Sequence, residues 1–372
     1  SPNNTILLKI AFFFFCCFIL STPVLAQWEY QNTGITNNLR GIYFLDETTG
    51  FAVGDAFSPN EAPILKTIDG GMNWILKASD SPNSLRDIAF NTNVKGFACG
   101  FYGTLVKSND TGATWDQVNL QQALEVNFRA LDFPTKEVGY VAGSNGVFLK
   151  TTDVGVTWDS LNTGFSYDLL EVEFFNNDTG FATGSIGFSN GVILRTYDGG
   201  ISWESVYTTS QAIPALLITK NYKIFAGGGT SPNGGHEFII QSLDGGNTWE
   251  EIYTGPPGRT IRRGAFTTNS LIWFVDDAGS LIKTKDAGES WVVDNINPSG
   301  LSSIFFTEED TGYVVGGLGS ILKFTPCATP LDLLGKIDGA KTVCNGASKN
   351  YSIAPVSGAN SYQWTVPPDA SY

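Results

Sequence analysis

Six aspartates recur at one position of one motif. Asp69, Asp110, Asp153, Asp198, Asp244 and Asp286 each open Asp-x-Gly-x-(Ser/Thr/Asn)-Trp, at intervals of 41 to 46 residues. A carboxylate beside a tryptophan invites a general-acid reading, but six copies at one place in a repeat describe a device of the fold. The Asp can accept backbone N–H bonds of its own turn, and the Gly supplies a backbone shape that a Cβ resists. The tryptophans Trp74, Trp115, Trp158, Trp203, Trp249 and Trp291 then offer a broad apolar face to pack under the turn. These residues read as structural Asp-boxes, and no catalytic residue is assigned among them.

Four arginines form a second set. Arg40, Arg86, Arg129 and Arg262 occupy the same place in a strand of the type Leu-Arg-x-Ile-x-Phe. Leu170 and Ser302 stand at the corresponding position elsewhere. Gathered at one mouth of a ring, they would make a local positive patch able to grip carboxylates of a protein segment or an anionic glycan by bidentate contacts. The plainer alternative is that each pairs with a neighbouring acid such as Asp87 or Asp132 and ties the repeats together. Phe101, Tyr102 and Phe188 fall in loops expected on the same face. His236 is the only histidine, and no Cys or His cluster has metal-ligand spacing, so neither a metal nor a cofactor is expected.

The elements that would position these groups follow from the repeat. Each box segment (64–74, 105–115, 148–158, 193–203, 239–249, 281–291) has two apolar residues, then Lys, Arg or Gln, then Ser or Thr before its Asp. Some 10 to 13 residues after each Trp comes the Leu-Arg-x-Ile-x-Phe strand (39–44, 85–90, 128–133, 169–174, 261–266, 301–306). A Gly-aromatic-apolar strand follows (50–54, 96–100, 139–143, 180–184, 312–316), then the strand leading into the next box. Four strands per unit of about 43 residues make a propeller blade. The count is seven. Residues 301–324 supply three strands of a last unit, and Trp28-Glu29-Tyr30-Gln31 would complete it from the other end and remove open sheet edges. The degenerate stretch 213–226 leaves six or eight as alternative counts. In such a meander all boxes share one face, and the arginines lie on the opposite one. The longest insertions (55–63, 185–190, 227–237) lie with the arginines, where variable loops on a rigid ring serve binding.

Composition agrees with short strands and tight turns: 42 glycines, 13% aromatic residues, and 36 acidic against 22 basic side chains, a net charge of −14. A non-specific grip on nucleic-acid phosphate is excluded by that balance. Residues 1–26 read as a signal peptide: Lys9, an apolar run from 10 to 20 that is too short to span a bilayer, and small residues before Gln27. The membrane then enters only during export, with a secreted or cell-surface destination and periplasmic passage if the source is a Gram-negative bacterium. Cys99 sits in an apolar strand pattern. Cys327 and Cys344 could pair with each other or with a partner beyond Tyr372. The chain opens on Ser and stops within a strand pattern, and is expected to be a fragment.

The box, the Leu-Arg-x-Ile-x-Phe strand and the Gly-x-Ala-Val-Gly strand over 28–324 resemble the photosystem II stability/assembly factor-like propellers of the Asp-box (BNR) type. That resemblance implies a seven-bladed ring that binds a partner protein, with arginines near the channel on the binding surface. Sialidases, xyloglucan hydrolases and sortilin-type receptors also carry the box. From 330 onward, Ile337-Asp338-Gly339, Tyr351-Ser352-Ile353 and Ser361-Tyr362-Gln363-Trp364 resemble a PKD-like, immunoglobulin-type module of which only the beginning is present.

The expected class is therefore all-β: a signal peptide (1–26), a seven-bladed Asp-box β-propeller closed by the N-terminal strand (27–326), and the start of a PKD-like, immunoglobulin-like sandwich (327–372). The expected function is a non-catalytic, monomeric secreted scaffold with a protein or polysaccharide partner. The alternative is a glycoside hydrolase of sialidase or xyloglucanase type. It would need two carboxylates ~5–9.5 Å apart, with Asp55, Glu61, Glu237, Asp276 and Asp277 on the appropriate face. The Arg-Ile-Pro of sialidases is replaced here by Leu39-Arg40-Gly41. A purely architectural segment of an adhesin is the third reading.

Overall fold

The computed structural model describes residues 27–57, 62–77, 81, 83–120, 125–187, 189–229, 235–297, 299–308, 311–325, 337–339 and 351–353. Residues 1–26, expected to be a signal peptide, and Glu61, Phe188, Cys327, Cys344 and most of the tail lie outside the described residues. The chain divides into two units, of which Trp28–Thr325 is one. Of the second, the described part is one antiparallel pair, Ile337–Gly339 with Tyr351–Ile353.

The first unit is all antiparallel β-structure: five four-stranded sheets and one seven-stranded sheet. Within each four-stranded sheet that carries a box the chain meanders outward. Leu39–Phe44, Gly50–Gly54, Ile64–Thr67 and Ile75–Lys77 set the pattern, and it recurs from Leu85–Phe90, Phe128–Asp132 and Ile261–Phe266. The seven-stranded sheet departs from it. Glu204–Ile218 is one continuous strand, pairing with Ser189–Thr196 through its first half and with Ile224–Gly229 through its second. It thus serves as the outermost strand of one unit and the innermost of the next. This accounts for the poor repeat signal at 213–226, where the turn that normally separates the two is missing. The remaining sheet joins both ends of the unit: Gln27–Gln31 lies beside Ile321–Thr325, followed by Thr311–Gly316 and Leu301–Glu308.

Burial explains the strand chemistry. The second strands, such as Gly50–Gly54, Gly96–Gly100 and Gly139–Gly143, are buried at every position, because neighbouring sheets cover both faces. Innermost strands alternate, with the second and fifth positions of Leu39–Phe44 and Leu85–Phe90 only half-buried. Outermost strands such as Ile75–Lys77 are largely exposed. Where Gly opens a second strand, it has no room for a side chain. A Cβ on Gly139 would stand 2.2 Å from the Phe133 ring, and one on Gly180 2.4 Å from Phe174.

Adjacent sheets are locked at the boxes. The aromatic of one second strand enters beneath the box of the next unit: Phe51 lies against Gly112, Phe97 against Gly155, and Tyr313 against Gly71. The basic residue of three of the box segments then reaches across to a neighbouring box turn. Lys66 Nζ donates to the Thr111 carbonyl (2.5 Å), Lys150 Nζ to Gly199 (3.1 Å), and Arg195 Nη1 to Gly245 (2.6 Å). Lys323 Nζ and the Tyr313 hydroxyl both donate to the Gly70 carbonyl, at 2.8 and 2.9 Å, although they lie some 250 residues away. The Lys or Arg read from the motif is thus an inter-sheet cap.

The box itself is saturated. Asp153 Oδ1 accepts from the Val156 and Thr157 amides at 3.0 and 2.9 Å and from Thr151 Oγ1 at 2.8 Å, while Oδ2 accepts from Thr157 Oγ1 at 2.6 Å. Those donors hold its carboxyl down to about 2. Asp69, Asp110, Asp198, Asp244 and Asp286 make the same set of turn bonds. Cys99 is fully buried as a free thiol.

Candidate functional site

The four arginines owe their direction to an irregularity in each innermost strand. The ladder slips between Leu39 and Gly41, between Leu85 and Asp87, between Phe128 and Ala130, and between Ile261 and Arg263. In every case the arginine is the extra residue of the bulge, a device that re-aims a side chain at the end of a strand. Leu170 and Ser302 sit in equivalent bulges without a charge.

Arg40 makes the tightest contact, both Nε and Nη2 reaching Asp55, the latter at 2.5 Å. Arg86 Nη1 stands 3.9 Å from the same carboxylate, so two guanidinia converge on one acid. Arg262 Nη2 lies 2.8 Å from Asp277, and Arg129 Nη2 3.9 Å from Asp168. The alternative read from the sequence, that each arginine meets an acid, finds its acids in Asp55, Asp168 and Asp277; Asp87 and Asp132, the examples named for it, pair with none of the four. Phe101 does lie among them, its ring 4.2 Å from the Arg86 guanidinium and 5.7 Å from that of Arg129. Tyr102 is exposed beside it.

Positive charge at this rim is under-compensated. Arg86 is pushed down to about 10, first by burial and then by Arg40, Arg129 and Arg262, with Asp55 opposing. Arg129 is lowered by burial and by Arg262, against Asp168. Burial works to raise Asp55, and the hydrogen bonds and charge of Arg40, with the charge of Arg86, outweigh it and leave it lowered. The Nε groups of both Arg86 and Arg129 are buried without a hydrogen-bond partner. Unpaired buried donors on charged groups are costly unless something else meets them.

A second constellation, unread in the sequence, lies deeper among the innermost strands. Arg263, the neighbour of Arg262, donates from Nη2 to Asp87 at 3.2 Å, and its Nη1 stands 3.1 Å from Glu171. These three side chains come from three different sheets and occupy the third position of their strands, where other repeats have Gly, Ala or Ser. Asp132 and Glu173 line the same region. The carboxylates also stitch units together: Asp87 accepts from the Leu131 amide, Asp132 from Phe174, and Glu173 from Ile218. Burial raises Asp132 to about 7 and Glu171 to about 8, and raises Glu173 well above its ordinary value. The signal available in sequence was complementary charge at one strand position, which means little until the packing of three sheets brings those positions together.

The carboxylates that a glycosidase would require are differently disposed. Glu237 and Asp276 are fully buried. Glu237 is raised to about 7 by burial and then by Asp276, with which it shares a hydrogen bond, against a 3.0 Å bond from the Tyr253 hydroxyl. Asp276 is occupied by the Ala278 and Ser280 amides and by Arg259. Asp55 and Asp277 are held by Arg40 and Arg262. His236 stands 3.6 Å from Glu251.

Comparison with known proteins bears out the resemblance read from the sequence. Residues 76–167 and 257–325 match the family described as photosynthesis system II assembly factor YCF48, and residues 330–372 match the PKD-like domain. A solved structure titled as YCF48 bound to D1 peptide is 20% identical, with a TM-score of 0.65, over 81% of this chain and 99% of that one. YCF48 from Cyanidioschyzon merolae is 21% identical with a TM-score of 0.63, over 81% and 99%. The GH74 xyloglucanase from Xanthomonas campestris shares the fold at 12% identity and a TM-score of 0.62, over 80% of this chain and 53% of its own. The chain spans about half of that enzyme. No curated protein matches by sequence.

Proposed function

We propose, from the premise that this chain carries a YCF48-type assembly-factor propeller followed by a PKD-like domain, that it is a non-catalytic scaffold whose arginine rim grips a carboxylate-bearing segment of a partner protein. One observation carries the reading. Arg40, Arg86, Arg129 and Arg262 are delivered by separate bulges to one rim, where two of them, Arg86 and Arg129, stand 3.9 Å from Asp55 and Asp168 and leave room for an anionic partner. A similar propeller is titled as bound to a D1 peptide, and a protein partner for this chain is taken from that analogy; an anionic polysaccharide is the second ligand class. Seven blades, closed by Gln27–Gln31 beside Ile321–Thr325, are our inference for the ring, supported by the contacts of Tyr313 and Lys323 with Gly70. We further propose that residues 1–26 direct export, that the monomeric propeller occupies 27–326 with the PKD-like module following, and that the mature protein is secreted or held at the cell surface.

The test is binding of an acidic peptide mixture to the propeller and to Arg40→Ala/Arg86→Ala/Arg129→Ala, with thermal unfolding alongside. Loss of binding by about 100-fold or more with an unfolding midpoint near that of the parent is expected. Equal binding by both proteins overturns the arginine-rim reading. Turnover of xyloglucan or a fluorogenic glycoside by the parent overturns the scaffold reading.

A further inference from the structure

Two turns on the arginine rim carry bulky apolar residues in a backbone shape that such residues resist. Each turn joins the second and third strands of its sheet. The one at 143–147 has the sequence suited to the shape: Asn145-Gly146, with φ of +58° and +71°, both in the left-handed region. Asn and Gly tolerate that region better than any other residues. At the equivalent places stand Tyr102-Gly103 (+53°, +66°) and Leu318-Gly319 (+56°, +69°). Neither side chain is compensated by packing, since Tyr102 is 71% and Leu318 68% exposed. Strain of this kind, held in place and turned to solvent, is a mark of a functional surface.

What holds the turns also ties them to the arginines. The Tyr102 amide donates to Asn127 Oδ1 at 3.3 Å, and Asn127 lies two residues before Arg129. The Leu318 amide donates to Asn38 Oδ1 at 3.2 Å, and Asn38 lies two residues before Arg40. Asp168 receives the Asn145 amide in the same manner at 3.1 Å. Each apolar tip is thus anchored to the base of an arginine-bearing strand, with Arg40 and Arg86, which converge on Asp55, between the two turns in sheet order. Phe101, next to Tyr102, stacks on Arg86.

We infer that the occupant of this rim is an extended protein segment bearing a carboxylate with a large apolar side chain close to it in sequence, the acid taken by the arginines and the apolar group by Tyr102 or Leu318. This rests on the arginine-rim reading above and narrows its ligand to a protein segment. Charge complementarity selects the acid, and the projecting aliphatic tip of Leu318, together with the Tyr102 ring, adds an apolar requirement that charge alone does not meet.

A twelve-residue random peptide display library selected on the described propeller with its tail tests it. The parent chain is expected to enrich Asp or Glu with Leu, Ile, Phe or Tyr within three positions. Tyr102→Asn/Leu318→Asn supplies the residue the turns prefer, and its thermal midpoint should equal or exceed the parent's. It should still enrich acids while losing the apolar preference and binding the parent's best peptide on the order of tenfold more weakly. Enrichment of acids alone by the parent, or undiminished apolar preference in the Asn variant, overturns this inference and leaves the rim reading standing. Undiminished acid enrichment by the triple arginine variant, or no enrichment by the parent, overturns both.

Discussion

The two rims of the propeller use the same kind of turn and differ in how fully their charged groups are met. At the box rim, Val154 takes a φ of +65°, a strained value for a β-branched residue. Around it Asp153 gathers amides and hydroxyls until its carboxylate is fully engaged. At the opposite rim Tyr102 takes a similar φ with no carboxylate organising its turn, and the nearby arginines keep buried donors unmet. Six aspartates that could pass for an active site are therefore fully engaged. Of the four arginines, Arg40 and Arg262 are bonded to acids, while Arg86 and Arg129 are held only loosely. A charged group earns a functional reading by what it lacks in the folded state.

Three experiments break or sharpen that contrast. The largest effect is expected at Arg263, the one cation bonded between Asp87 and Glu171. Arg263→Met leaves buried acids uncompensated and should destabilise the propeller by about 3 kcal/mol in urea unfolding. Adding Asp87→Asn and Glu171→Gln should recover most of it; no recovery would mean the cluster acts through packing. Next comes the box seat. Gly155→Ala would set a Cβ 2.1 Å from the Phe97 ring at a φ of +72° and should cost about 2 kcal/mol. A neutral outcome would separate the box from inter-sheet locking.

The smallest effect is a pH dependence of opposite sign in the two regions. Carboxyls ordinarily titrate near pH 4. In the fold Asp132 titrates at about 7 and Glu171 at about 8, so the folded chain keeps protons the unfolded chain has released. Their contribution is present below about pH 4 and fades as pH rises through about 8. Box aspartates such as Asp153 and Asp110, at about 2, contribute above about pH 4 and lose that contribution as pH falls through about 2. Maximum stability should lie at mildly acidic pH, and Asp132→Asn/Glu171→Gln should flatten only the alkaline side of a midpoint-against-pH curve. An unchanged alkaline side would remove the inner carboxyls as its cause.

Much of the architecture was legible because the repeat writes it several times over. The boxes, the Gly-aromatic strands and the location of the arginines opposite the boxes follow from period and meander alone. Three things were not legible. The continuous strand Glu204–Ile218 fuses two units, since Ile213, Ala215 and Leu217 read as an isolated apolar run. The partners of the arginines lay at Asp55, Asp168 and Asp277, in the segments that follow the second strand or precede the first, not on the arginines' own strands. Arg263, Asp87 and Glu171 are separated by up to 176 residues, and no local pattern brings such groups together.

One consequence follows from the sheet that unites Gln27–Gln31 with Leu301–Glu308, Thr311–Gly316 and Ile321–Thr325. During synthesis its earliest strand emerges first and has nothing to join until its latest partner leaves the ribosome. Local hairpins can form in the meantime, but this latch waits for the whole unit, which makes it a step of high contact order and a late one. Clipping the first few residues of the unit would strand Ile321–Thr325 as a bare edge, inviting a second chain to supply what the first one lost.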